Sequence, residues 1–322
     1  MSARGLGLVG PCRRDVLILP PRRGGAGSDE ARSLGATPSL VRHSYPSHSS
    51  QGPKGMTLTD IQMLDPGADS HRVWIVLPTY NEAENLAPIA AAILHSLPGA
   101  TILIVDDASP DGTGVLADQL AAADGRIQVL HRAAKEGLGR AYRHGFRVAL
   151  DAGAGIIVQM DADFSHDPLT LPNLVAPVVG GTADLVIGSR YVAGGTVLDW
   201  GLARRLISRG GSLFARTVLD LSPLDLTGGF KAWRAETLAA VSGGTVRAGG
   251  YVFQIEMTYR ASRAGARVVE IPITFVDRRL GASKMSRRII FEAFGIVLAL
   301  RWEELRQGVH RVPSGAGAEH HD

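Results

Sequence analysis

Ile156-Ile157-Val158-Gln159-Met160-Asp161-Ala162-Asp163 is an almost unbroken apolar run that stops on two acids. A short run of this kind, rich in β-branched residues and without polar alternation, predicts a strand buried on both faces. It is the fourth such run. Val73-Trp74-Ile75-Val76-Leu77 ends at Pro78, and Thr101-Ile102-Leu103-Ile104-Val105 ends at Asp106 and Asp107. Ile127 to Leu130 forms a third, and Asp184 to Ile187 a fifth. Helical stretches separate them: Glu82 to about Leu97, a second that follows the turn Ser109-Pro110-Asp111-Gly112 and ends near Gly125, and a third from Gly137 to Leu150. Continuous apolar strands alternating with amphipathic helices predict an α/β fold, a doubly wound and mostly parallel sheet with helices on both faces. Ligands of such sheets sit beyond the carboxyl ends of the strands.

Those ends are polar. Pro78, Thr79, Tyr80, Asn81 and Glu82 follow the first strand, Asp106 and Asp107 the second, and Asp161, Ala162 and Asp163 the fourth. Asp161 and Asp163, two apart on an extended segment, point to one side. Two such carboxylates repel unless a cation joins them, and hard oxygens suit magnesium or manganese completed by water and substrate phosphates. A lone pair of this spacing is common in solvated loops; its place at the end of the fourth strand selects the metal reading. Asp107 is placed to accept hydrogen bonds from a ribose or base, with Asp111 better suited to cap the next helix. Tyr80 can stack on a base. Glu82 reads equally as a nucleoside acceptor and as a first-turn acid favoured by the helix dipole.

Several classes are excluded. No G-x-G-x-x-G follows the first strand and no G-x-x-x-x-G-K-[ST] occurs, which argues against a dinucleotide-binding dehydrogenase and a P-loop NTPase. The net charge of +3 over 322 residues is too small for a nucleic-acid partner. The single cysteine, Cys12, rules out an intrachain disulfide framework. The longest apolar run, Ala293 to Leu300, is bracketed by Glu292 and Arg301 and falls far short of the roughly 20 residues a membrane span needs. Arginines interrupt the amino-terminal stretch where a secretory signal needs an apolar core. Residues 1–70, rich in Gly, Pro, Ser and Arg, bury too little apolar surface to order themselves and are expected to be disordered, with Met56 as a second, more ordinary start. Residues 71–307 form the folded domain, and 308–322 a disordered tail.

The second half carries cations. Arg190 follows the fifth strand. Arg204 and Ser208 share one face of a helix at i, i+4. Arg278 and Lys284 bracket the flexible run Arg279-Leu280-Gly281-Ala282-Ser283. Arginine forks match phosphate oxygens, so the set points to a phosphate-rich ligand once joined to the acidic crevice. Arg287 to Arg306 reads as an amphipathic helix with Ile289, Ile290, Phe294, Val297, Leu298, Arg301 and Trp302 at helical intervals. It suits either a membrane interface or packing against the domain.

The motifs resemble those of the polyprenol (dolichol) phosphate mannose synthases, among the inverting family-two glycosyltransferases. The resemblance is carried by Pro78-Thr79-Tyr80-Asn81-Glu82, Val105-Asp106-Asp107-Ala108-Ser109-Pro110-Asp111-Gly112-Thr113 and Met160-Asp161-Ala162-Asp163-Phe164-Ser165-His166. Gly188-Ser189-Arg190-Tyr191, Ile207-Ser208-Arg209-Gly210, Asp225-Leu226-Thr227-Gly228-Gly229-Phe230-Lys231, Gly250-Tyr251-Val252-Phe253-Gln254 and Phe275-Val276-Asp277-Arg278 extend it in order. The early motifs are shared widely among such transferases; the later ones are more specific to polyprenyl-phosphate acceptors. The resemblance implies a GT-A fold and transfer of mannose from GDP-mannose, with inversion, to a polyprenyl phosphate lipid. It implies Mg2+ or Mn2+ on Asp161 and Asp163, and donor contacts at Pro78, Tyr80, Glu82, Val105, Asp107, Asp161, Ala162 and Asp163. It puts Arg190, Arg278 and Lys284 near phosphates, Arg204 and Ser208 on the acceptor phosphate, and Asp163, Arg190, Arg204 and Ser208 in the catalytic set. Ser165 stands where some relatives carry a glutamine ligand to the metal, and carboxy-terminal spans of some relatives are missing. A peripheral place on the cytoplasmic face of a membrane follows, with an integral-membrane protein as a further partner. A UDP-glucose donor, or a polysaccharide hydroxyl as acceptor, are the neighbouring alternatives.

Overall fold

The computed structural model describes residues 72–198, 200–243, 250–276 and 287–307. The segments read as disordered, 1–70 and 308–322, lie outside the described residues, as do Arg278 and Lys284.

β1 (Val73–Thr79), β2 (Thr101–Asp106), β3 (Ile127–His131) and β4 (Ile156–Gln159) stand where the apolar runs place them, and the fifth run becomes β5 (Leu185–Ser189). A seven-stranded sheet has the order β3-β2-β1-β4-β7-β5-β8, with β7 spanning Lys231–Arg234 and β8 Val268–Pro272. All its pairings are parallel except those of β7, which runs against both β4 and β5. A two-residue strand, β6 (Thr196–Val197), pairs parallel with β9 (Thr274–Phe275) beside this sheet.

Alternation along β1 explains why the strands are apolar throughout. Ile75 and Leu77 join a core on one face with Leu86, Ile89 and Ile93 of α1 (Ala83–Ser96), Ala117 of α2 (Thr113–Ala123) and Leu174 and Val175 of α4 (Leu171–Val179). Trp74 and Val76 join the opposite core with Tyr142 and Phe146 of α3 (Leu138–Asp151), Leu238 of α6 (Ala235–Ser242) and Phe253 and Met257 of α7 (Gly250–Arg263). Gly145 lets α3 lie close on β1: a Cβ there would come within 2.4 Å of Val76 Cγ1. A third core joins α5 (Leu202–Leu219), α7 and α8 (Arg287–Gln307) through Ala215, Leu219, Ile255, Tyr259, Val297 and Leu300.

The carboxy-terminal helix packs against the domain, as one reading of its amphipathic pattern expects, and leaves a second apolar stripe in solvent. Val297 and Leu300 pack inward, while Phe294, Leu298, Trp302 and Leu305 are exposed. The side chains of Ile289 and Ile290 lie outside the described set. Among the described residues no helix is long and apolar enough to cross a membrane.

Candidate active site

β1, β2 and β4 are neighbours and parallel, so their polar carboxyl ends open on one crevice. Each exit is pinned by one residue with left-handed backbone: Asn81 (φ 61°), Ala108 (φ 55°) and Phe164 (φ 59°). Such conformations cost free energy outside glycine and persist where the surroundings impose them. Asp106 supplies part of that constraint. It accepts hydrogen bonds from Thr79 Oγ1 (3.2 Å), the Ser109 amide (3.1 Å) and Ser109 Oγ (2.6 Å), which locks the first two exits together. Asp111 accepts from the Thr113 amide and hydroxyl (3.1 and 2.6 Å) at the start of α2 and from the Ala83 amide (3.1 Å) at the start of α1. It therefore caps, as its sequence position suggests.

Asp107 faces inward and pairs with Arg132, whose guanidinium also reaches Glu136 Oε2 at 2.6 Å. Burial pushes the Asp107 carboxyl above its ordinary range, against the pull of Arg132. Lys135 Nζ stands 3.2 Å from the centre of the Tyr80 ring. The Glu82 carboxylate accepts from Asn85 Nδ2 at 2.8 Å, inside its own helix start. Val105 and Ala162, read as donor contacts, have side chains inside the two cores, so only their main chain can meet a ligand.

The two metal-ligand candidates lie on a bend past the end of β4 rather than on the extended segment expected. Asp161 Oδ1 accepts from Tyr142 OH at 3.1 Å, and Asp163 Oδ1 from the Ser165 amide at 3.1 Å. The Ser165 hydroxyl is buried and has no hydrogen-bond partner among the described residues. No cluster of three His, Cys, Asp or Glu side chains is found among them. Asp161, Asp163 and the Ser165 hydroxyl are all hard oxygens, the chemistry that suits Mg2+ or Mn2+ completed by water and substrate oxygens. His166 is buried, stacked on Phe230 at 4.9 Å, and lies within electrostatic reach of both acids and of the Arg190–Asp225 pair.

Arg190 leaves β5 and enters a buried ion pair with Asp225: Nε and Nη2 each donate at 2.6 Å. Nη2 also reaches Thr227 Oγ1 at 2.8 Å. Burial works to raise the Asp225 carboxyl, but Arg190 outweighs it and holds it below the ordinary range. Arg204 and Ser208 share a face of α5 as expected. Arg204 lies over Trp200 with its guanidinium carbon 4.1 Å from the ring centre, and Ser208 Oγ accepts from Tyr191 OH at 2.6 Å. His166, within electrostatic reach of Asp161, Asp163, Arg190 and Asp225, ties the acids past β4 to the arginine at the end of β5. Arg132, Tyr142, Tyr191, Asp225 and Thr227 partner the candidate side chains; of these, Tyr191, Asp225 and Thr227 stand within motifs that the sequence displays.

An α/β sheet of this order, with acids at the ends of its central strands and arginines beside them, defines a glycosyltransferase fold. The profile of glycosyl transferase family 2 matches residues 74–241. The undecaprenyl-phosphate mannosyltransferase of Micrococcus luteus is 50% identical over 239 residues, which cover 73% of this chain and 98% of that protein. The polyprenol monophosphomannose synthase of Mycolicibacterium smegmatis is 48% identical over 225 residues, covering 70% and 84%. Glucosyl-3-phosphoglycerate synthase of Mycobacterium tuberculosis, solved with Mn2+, uridine diphosphate and phosphoglyceric acid, superposes with a TM-score of 0.58 at 20% identity over 78% of this chain and 84% of that one. The chain belongs to glycosyl transferase family 2, within its polyprenol phosphate mannose synthase branch, and is a glycosyltransferase.

Proposed function

We propose that the protein transfers a mannosyl group from GDP-mannose to a polyprenyl monophosphate at the cytoplasmic face of a membrane, with inversion at the sugar. The observation that carries this is the arginine beside the acids: buried Arg190, which His166 links electrostatically to Asp161 and Asp163, followed by Arg204 and Ser208 on the next helix. The activities for which the two relatives are named support both the sugar and the lipid phosphate.

A phosphate monoester is mostly ionised near neutral pH, its second pKa being about 6. It therefore attacks the anomeric carbon without a strong general base. What the site must overcome is repulsion between an anionic nucleophile and an anionic donor. Arg204 and Ser208 hold the acceptor phosphate, and Arg190, fixed by Asp225, directs positive charge toward it. Tyr80, Lys135, Asp107 and Glu82 take the nucleoside and its diphosphate. Asp161 and Asp163, with the Ser165 hydroxyl, fit Mg2+ or Mn2+, which when bound stabilises the departing diphosphate. A new bond from phosphate oxygen to carbon forms as the bond to GDP breaks, and the configuration inverts. Arg278 and Lys284 are assigned to phosphate contacts.

The lipid tail must stay in the bilayer. Leu202, Leu206 and Leu213 on α5 and Phe294, Leu298, Trp302 and Leu305 on α8 are exposed, and the Phe214 and Phe294 rings, 4.3 Å apart, join the two helices. The helix that grips the phosphate thus presents apolar side chains beside it, which suits a membrane surface.

Purified protein, a short polyprenyl phosphate and each labelled nucleotide-sugar test the reading, with and without Mg2+ or Mn2+. Product is expected from GDP-mannose, in the presence of metal, and lost in Asp163→Ala. Use of UDP-glucose instead, or transfer to a sugar hydroxyl while lipid phosphate is ignored, overturns it.

A further inference from the structure

A relay of buried amides runs beneath the acids. Trp233 Nε1 donates to Gln159 Oε1 at 2.7 Å, and Gln159 Nε2 donates to Gln254 Oε1 at 3.4 Å. All three side chains are buried, Gln254 at 2% exposure. An indole nitrogen can only donate, so Gln159 must turn its oxygen to Trp233 and its nitrogen to Gln254. Gln254 must then present its oxygen to Gln159, and its own Nε2 is left on the far side. That nitrogen is buried and has no hydrogen-bond partner among the described residues. A buried unmet donor carries its full desolvation cost, which a bound ligand recovers.

The nitrogen faces a small space. A Cβ on Gly229 would lie 3.6 Å from Gln254 Nε2 and 3.7 Å from Asp161 Oδ2. An amide donor and a carboxylate acceptor therefore flank the bare α-carbon of Gly229. We propose that Gln254, Gly229 and Asp161 form a cradle for one hydroxyl of the transferred sugar. A hydroxyl both donates and accepts, and so answers both walls at once. A water held on a metal offers mainly its protons, and an N–H suits it poorly. This inference rests on the reading of the crevice as a nucleotide-sugar site, and it makes Gln254 a specificity-determining residue.

The relay also explains why the residue is glutamine on α7: its amide orientation is set by a donor-only ring on β7, two residues away in the hydrogen-bond chain. Gly229 is not in the left-handed region, and the nearest atoms to an added Cβ are at ordinary van der Waals distance. Gly229→Ala therefore folds normally and fills the cradle.

The test pairs wild type, Gln254→Met and Gly229→Ala with GDP-mannose and its analogues deoxygenated singly at each sugar hydroxyl. One analogue is expected to lower wild-type kcat/KM roughly tenfold or more, the worth of one hydrogen bond in a dry site. Both variants lose a similar factor with GDP-mannose and almost nothing further with that analogue. Thermal melts check folding, and titration with GDP alone, which lacks the sugar, is expected to give the same affinity in all three proteins. Losses that add with every analogue overturn the cradle, as does a variant whose only defect is a raised Mn2+ requirement. Wild type that fails to bind GDP overturns the reading of the crevice, and the cradle with it; tight GDP binding with additive losses removes the cradle alone.

Discussion

Arg190 and Asp225 lie side by side in the interior, joined by two hydrogen bonds of 2.6 Å, with the carboxylate wholly shielded from solvent. The Asp225 carboxylate further accepts from the Arg190 amide and the Gly228 amide, both at 3.1 Å. Removing one member of such a pair leaves the other charge buried and alone. Asp225→Ala is expected to lower unfolding free energy by about 3–5 kcal/mol in urea titrations and to abolish transfer. Replacing both, as Arg190→Met with Asp225→Leu, recovers much of the stability and none of the activity.

Arg204 differs, because its guanidinium spreads over the Trp200 ring. A lysine keeps the charge but loses the flat stacking face and the paired donors. Arg204→Lys is therefore expected to raise KM for a short polyprenyl phosphate by roughly tenfold. The donor KM stays close to wild type. Full rescue by lysine would show that charge alone matters there.

Lys231 is completely buried and donates to the Gln254 carbonyl (2.9 Å) and Thr258 Oγ1 (2.8 Å). Burial chiefly, with Asp225 opposing and Arg190 adding, lowers its pKa from the ordinary 10.5 to about 7. Between those values the unfolded chain binds the proton that the folded one has lost, so stability rises with pH. The contribution is complete above 10.5 and is lost as pH falls through about 7. Lys231→Met is expected to flatten the stability–pH curve in that window. An unchanged slope would mean that the ammonium stays charged.

Leu298 and Trp302 face solvent at 56% and 58% exposure, one helical turn apart on α8. Glutamates at both positions are expected to reduce partition onto anionic phospholipid vesicles at least tenfold, since each buried apolar side chain is worth about 1.5–3 kcal/mol. Turnover of a short acceptor in detergent changes little. Equal partition of wild type and variant in sedimentation assays would assign this face to a protein partner.

The strands were legible because burial on both faces makes them continuously apolar, and the places of Asp107, Asp161 and Asp163 because such strands end in polar turns. β7 was not: Lys231-Ala232-Trp233-Arg234 begins and ends on cations, and only the folded protein reveals the carbonyl and hydroxyl that receive Lys231. Nor is pairing written locally. Arg190 meets Asp225 across 35 residues and Arg132 meets Asp107 across 25, so each reads alone as a surface charge. Val105 and Ala162 mark the opposite limit. The motifs suggest contact with the ligand, and the fold, which buries both side chains in the cores, leaves the main chain to make it.

The reversed strand also sets a timetable for synthesis. β4 and β5 are both completed before residue 190, yet neither gains its shared neighbour until Lys231–Arg234 has been made. During that interval a growing chain exposes one edge of β4, built from Ile156, Ile157 and Val158, and both edges of β5, whose other neighbour, β8, comes later still. Open edges of this kind template pairing with other chains. The nascent protein is therefore most adhesive between those two points, and a message truncated there yields a fragment prone to aggregate rather than a weak enzyme.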